Sequence, residues 1–77
     1  MNDILKPEVI EKIKNDFPKG TRVRVIQMVD VRPVPPGTEG TVIFVDGIGQ
    51  IQVKWDNGST LALVPTVDQF DITKHPA

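Results

Sequence analysis

The sequence has no cysteine and no tyrosine, and only one histidine and one tryptophan among its 77 residues. Without cysteine there is no disulfide scaffold, no thiolate metal site, no cysteine nucleophile and no redox switch. The absence fits a reducing compartment, and the cytoplasm is the expected location. The lone His75 lies two residues from the C-terminus and cannot build a multi-histidine metal site. No apolar run approaches the roughly 18–20 residues of a membrane span, so no membrane partner is expected. The first 17 residues mix charged and apolar side chains, unlike a signal peptide. Charge of one sign is also lacking: nine Lys and Arg stand against ten Asp and Glu, a formal net charge of −1. A strong nonspecific nucleic-acid binder usually carries a basic excess. No cofactor is implied by any motif.

What remains is one small domain of ordinary globular composition, 39% hydrophobic and 25% charged. A chain of this size buries only about 60–65% of its unfolded surface, so every apolar strand position must serve one small core.

Residues 7–16 read as a helix. Leu5, Val9, Ile10, Ile13 and Phe17 form one apolar stripe, with Glu8, Glu11, Lys12 and Asp16 off it. Pro7 suits the first turn, Lys6 is a poor N-cap, and Pro18 and Gly20 end the helix. From Thr21 onward the chain is rich in Val, Ile and Thr and broken by Gly and Pro turns, the pattern of a small all-β domain. The first strand is expected at Thr21–Val29, with Val23 and Val25 inward and Arg22 and Arg24 outward. Its phase changes at Ile26 and Met28, which predicts a bulge. A proline-rich loop follows over residues 30–39, with Pro36-Gly37 set for a type II turn. The second strand is expected at Gly40–Val45 and the third at Gln50–Trp55, where Ile51, Val53 and Trp55 share a face. Asn57-Gly58 tolerates the positive φ angles of a primed hairpin turn. A fourth strand is expected at Thr60–Val64, then one 3₁₀ turn over Thr66–Gln69, a fifth strand at Phe70–Ile72 and five frayed residues.

Five short strands joined by tight turns predict a mainly β fold, a small five-stranded SH3-like barrel with one N-terminal amphipathic helix. An OB-fold often places a helix between its third and fourth strands, where this chain has a four-residue turn. The expected organisation is residues 1–18 as the helix, packed on or extending from the barrel, 19–73 as the barrel and 74–77 as a tail.

The strings FPKGTRVRVIQM, PPGTEGTV, DGIGQIQVKWDNGSTLALVP and DQF, between Phe17 and Ile72, resemble a family of short bacterial and phage proteins known as domain of unknown function 4314. The resemblance implies a stand-alone SH3-like barrel and brings no assigned activity. Val53–Thr60 (VKWDNGST) is also similar to the mind-bomb-type domain of large ubiquitin ligases, where it belongs to a peptide-binding SH3-like barrel. One hairpin supports the fold and says little about function, since one fold hosts many activities.

No catalytic constellation stands out. Ser59 has no histidine near it in sequence, and Asp56, Asp68 and Asp71 lie in or after turns, where acids usually cap or stay solvated. A small hydrolase using Asp56 or Asp71 is the third and weakest class. The leading expectation is a non-enzymatic module binding a protein or peptide. The expected surface combines the 30–39 loop, the outward face of the first strand and the Asp56–Ser59 turn. Its candidate residues are Arg22, Arg24, Arg32, Pro35, Pro36, Lys54, Trp55 and Asn57. Trp55 has the phase of a core residue, and a ring edge at the rim would serve both roles. The alternative is a nucleic-acid-binding accessory protein, linked to phage or mobile elements, using Lys19, Arg22, Arg24 and Lys54. A monomer is expected, or a weak homodimer through Leu5, Val9 and Ile13 should the helix leave that face uncovered.

Overall fold

The computed structural model describes residues 5–76. The expected helix and tail therefore extend at their ends, over residues 1–4 and Ala77, outside the described residues.

Helix α1 spans Pro7–Asp16, with Pro7 in its first turn and no side chain capping it at Lys6. The Lys6 carbonyl instead accepts the N–H groups of Val9 and Ile10, and the Phe17 N–H closes the last turn on Ile13 O. Gly20 then adopts a φ of +95°. Thr21 is fully buried, yet its hydroxyl donates to Pro18 O at 2.7 Å, so no polar atom is stranded where the chain enters the sheet.

Strand β1 covers Arg22–Gln27, β2 Glu39–Val45, β3 Ile51–Trp55 and β4 Gln69–Lys74. They form one antiparallel sheet in the order β3-β2-β1-β4. The expected bulge is present. Pairing between β1 and β4 slips between Val25 and Gln27, Ile26 faces solvent, and the inward phase resumes at Met28. β1 ends at Gln27 rather than Val29 because the Val29 N–H goes to the Asp68 carboxylate. β2 also shifts register, between Val42 and Phe44.

Val23, Val25, Val42, Ile51, Val53, Trp55 and Leu63 are buried against one another, joined by Met28 and by Val34 from the long loop. At Gly40 the sheet packs so tightly that a Cβ would lie 2.6 Å from Val53 and 2.7 Å from the Trp55 ring. The long loop is pinned at its far end: Thr38 N–H bonds Pro35 O, and Gly37, with φ of +88°, donates to Val25 O at 2.7 Å. A positive φ at that third position is what a type II turn requires.

Three expectations need correction. The sheet has four strands among the described residues, not five, and it is open rather than a closed barrel. Residues 60–64 run beside β3 but form only one bridge, Ile51 with Leu63. The next rungs of this pairing would fall on Leu61 and Pro65. The Leu61 carbonyl instead accepts the Trp55 indole N–H at 2.8 Å, its N–H donates to the Ser59 hydroxyl at 3.4 Å, and Pro65 has no N–H to give. The turn after β3 is not a primed turn. Gly58 N–H bonds Trp55 O, but only Gly58 has a positive φ, and Asn57 does not. Finally, the last strand is longer than expected. It reaches Lys74, which pairs with Arg22 across a bulge at Thr73, so these two residues belong to the strand rather than fray.

The helix docks on its own chain. Ile13 and Phe17 pack against the core, and the Phe17 and Phe70 rings lie 5.5 Å apart in a tilted pair. Leu5, Ile10 and Ile13 surround Gly49, which is buried with φ of +87°. Val9 is left facing solvent.

Candidate functional site

The outward face of the sheet carries the charges expected of a partner surface, but they answer one another. Arg22 and Arg24 alternate with the buried Val23 and Val25, so both project from β1 away from the core. The Arg22 guanidinium forks onto Asp56, Nη1 to Oδ1 at 2.9 Å and Nη2 to Oδ2 at 2.6 Å. Nη1 also donates to the Thr41 hydroxyl at 3.0 Å, and Glu39 lies 3.6 Å from Nη2. The bidentate bond from Arg22 holds the Asp56 carboxyl below its ordinary pKa, and the same bond raises that of Arg22. Arg24 stands 3.8 Å from Asp71 on β4. Glu39 also accepts the Thr73 hydroxyl at 3.4 Å.

The structure brings Arg22, Arg24 and Lys54 onto one face, since Arg22 pairs with Thr41 and Thr41 with Lys54. Lys54 is exposed and forms no ion pair among the described residues. Asn57 adjoins this face at the β3 turn, where its side-chain oxygen accepts the Ser59 N–H. Arg32, Pro35 and Pro36 sit exposed on the long loop. Trp55 departs from the expected surface. It is 1% exposed, with its N–H satisfied by Leu61 O, so its ring lies in the core beneath the face rather than on it. The three aspartates weighed for catalysis are each engaged separately: Asp56 on Arg22, Asp71 beside Arg24, and Asp68 on the N–H groups of Val29 and Val64.

A second site has no counterpart in the sequence reading. An apolar groove of about 570 Å³ opens between the start of α1, the β2–β3 turn and residues 64–66. Leu5, Pro7, Ile10, Ile48, Val64 and Pro65 supply its walls. Ile48 stands at its edge, 65% exposed, in a turn fastened by Asp46. One oxygen of Asp46 accepts the N–H groups of Ile48 and Gln50, and the other accepts the Gln52 amide. The turn is therefore rigid, and it presents an isoleucine where a polar residue would be the ordinary choice. An apolar residue between two glycines, Gly47-Ile48-Gly49, was the local signal of this site. Phe44, 54% exposed on β2 opposite Gln52, is a further apolar group on the outward face.

Fold and surface together define a small, mainly β, helix-capped domain. Over residues 6–73 the chain matches the family described as Domain of unknown function (DUF4314), and it belongs to that family. The match begins ahead of α1, so the helix is part of the family's domain, beyond the Phe17–Ile72 stretch that carries the resemblance in the sequence. No curated protein and no solved structure matches the chain.

Proposed function

We propose that this chain is a non-enzymatic binding module for a protein or peptide partner, and that the groove beside Ile48 receives an apolar side chain of that partner. The observation that carries the reading is the groove itself. It is apolar and open, and it is bordered by a turn that Asp46 holds in shape, the arrangement that lowers the entropy lost on binding. Lys54, Arg32 and the Pro35-Pro36 corner extend the proposed surface as polar and stiff flanks. We read the fold as SH3-like in strand order, an open sheet in which the expected fourth strand is reduced to the Leu63 bridge. The spatial order of residues 61–64, β3, β2, β1 and β4 supports that reading, as does the hairpin likeness to mind-bomb-type domains. A cytoplasmic, bacterial or phage setting belongs to the same proposal.

The nucleic-acid alternative has less support. A phosphate would have to displace Asp56 from a bidentate bond to reach Arg22, and to compete with Asp71 at Arg24. Of the four residues named for it, that leaves Lys19 and Lys54 as exposed, unpaired cations among the described residues.

The test is a nuclease-treated pull-down with three baits: wild type, Ile48→Asp, and a charge-reversed Arg22/Arg24 protein. The expected result is a protein retained by wild type and by the reversed arginines, and lost with Ile48→Asp. Retention that vanishes with nuclease and with the reversed arginines would overturn the proposal in favour of nucleic acid.

A further inference from the structure

The two edges of the sheet are finished differently. Beyond β3, Ile51 exchanges both backbone hydrogen bonds with Leu63, at 2.9 and 2.8 Å. Beyond β4 there is nothing equivalent. Gln69–Lys74 pairs with β1 on one side, and no backbone group of these residues bonds to any other described segment. The outward-pointing N–H and C=O groups of a six-residue strand are thus a free template for another strand.

The charges on this edge indicate what fits it. Asp71 pairs with Arg24 and Lys74 with Arg22, and a bulge between Ile72 and Lys74 leaves Thr73 unpaired, so Asp71 and Lys74 both belong to the outward face. Asp71 is more than half exposed and only loosely held by Arg24 at 3.8 Å. Lys74 sits opposite a like charge, Arg22, and forms no ion pair among the described residues. The strand therefore carries an anion with bonding capacity to spare and a cation that lacks an acid, three residues apart.

We infer that the free edge of β4 is a self-association site, which pairs antiparallel with β4 of a second copy about a two-fold axis. Two-fold symmetry makes every cross-contact occur twice. In the register that opposes Asp71 to Lys74 of the second copy, both charge pairs are attractive, and the outward faces of the two sheets run on as one. In the register that opposes Asp71 to itself, like charges meet and the pairing is penalised. The charges thus select one register, and the second copy supplies the acid that Lys74 lacks. Phe70 and Ile72, half-buried on the inner face, lose further exposure when the sheet continues past them. This surface is separate from the groove beside Ile48, and does not depend on it.

The test uses sedimentation equilibrium of the full chain, with Lys74→Asp and Asp71→Lys as variants. Both positions are exposed, and circular dichroism verifies that the fold is kept. Wild type is expected to show a reversible monomer–dimer equilibrium. Each variant alone places like charges in both contacts and should weaken dimerisation by about tenfold or more. Mixed in equal amounts, the two variants oppose acids to bases in both contacts, and a heterodimer is expected. A wild type that stays monomeric at millimolar concentration overturns the inference. So does a dimer indifferent to either substitution, which would point to another face such as α1. Variants that dissociate alone and fail to combine overturn the proposed register.

Discussion

The carboxylate of Asp68 accepts the backbone N–H of Val29 at 2.7 Å, across 39 positions of sequence. Its second oxygen accepts the N–H of Val64 at 2.8 Å, so one buried side chain ties the start of the long loop to the turn before β4. Replacement by alanine removes both charge-assisted bonds and leaves two backbone donors short of partners. Asp68→Ala is expected to cost about 2–3 kcal/mol of stability in chemical denaturation. Asp68→Asn keeps one acceptor but turns an amide donor toward the other N–H, so it should recover only part of that loss.

Gly40 and Gly37 make unequal predictions for the same substitution, from different causes. A Cβ at Gly40 would meet Val53 at 2.6 Å, Trp55 at 2.7 Å and the Lys54 carbonyl at 2.9 Å. That carbonyl belongs to β3 and cannot move without breaking the sheet, so Gly40→Ala should cost about 2–3 kcal/mol. At Gly37 a Cβ would meet nothing within 4 Å, and the cost comes from the φ of +88°. Gly37→Ala should therefore cost only about 1–2 kcal/mol. Denaturation midpoints of the two variants give the order.

Gly49→Ala tests how the helix is held. The residue has φ of +87°, and its Cβ would lie 2.7 Å from a methyl of Leu5 and 3.4 Å from Ile10. No hydrogen bond or ion pair links α1 to the sheet among the described residues, so apolar contact alone fixes it. The expected outcome is faster amide hydrogen exchange across Pro7–Asp16, with β2 and β3 still protected. Equal loss of protection in helix and sheet would contradict independent docking.

The Arg22–Asp56 pair gives a pH prediction. The hydrogen bond from Arg22 holds the Asp56 carboxyl below its ordinary pKa. A carboxylate depressed in the folded state contributes stability above its unfolded pKa. That contribution is lost as pH falls through the lowered folded value. The pair is exposed, so its effect on global stability is small. Site-resolved NMR titration is the direct readout. Asp56 should titrate lower in wild type than in Arg22→Gln, and the difference should shrink with added salt.

Local rules made part of the fold legible. Pro7 and the apolar stripe bound the helix at Pro7–Asp16, as observed. The alternation of Ile51, Val53 and Trp55 marks their buried face, and the broken phase at Ile26 marks the bulge. The errors have a common cause in contacts between residues distant in sequence or between side chain and backbone. Leu61 and Leu63 alternate as a strand would, but the Trp55 indole takes the Leu61 carbonyl and Pro65 has no N–H for the rung beyond Leu63. A basic stripe stayed open as an alternative for the arginines of β1 because Asp56 and Asp71, which answer them, lie on other segments. The groove draws its walls from three separated segments, and only Ile48, misplaced in a turn, hinted at it. The free edge of β4 was hidden by the expectation that the sheet would close.

Trp55 is the only tryptophan, it is enclosed in the core, and the chain has no tyrosine. The protein therefore carries a single indole fluorophore, in a defined environment and with no tyrosine emission beside it. Its indole is dry and bonded to Leu61, so native emission should be blue-shifted, moving to the red when the sheet opens to water. Because that bond lies where residues 61–64 meet β3, the emission reports on the seam joined by the single Ile51–Leu63 bridge.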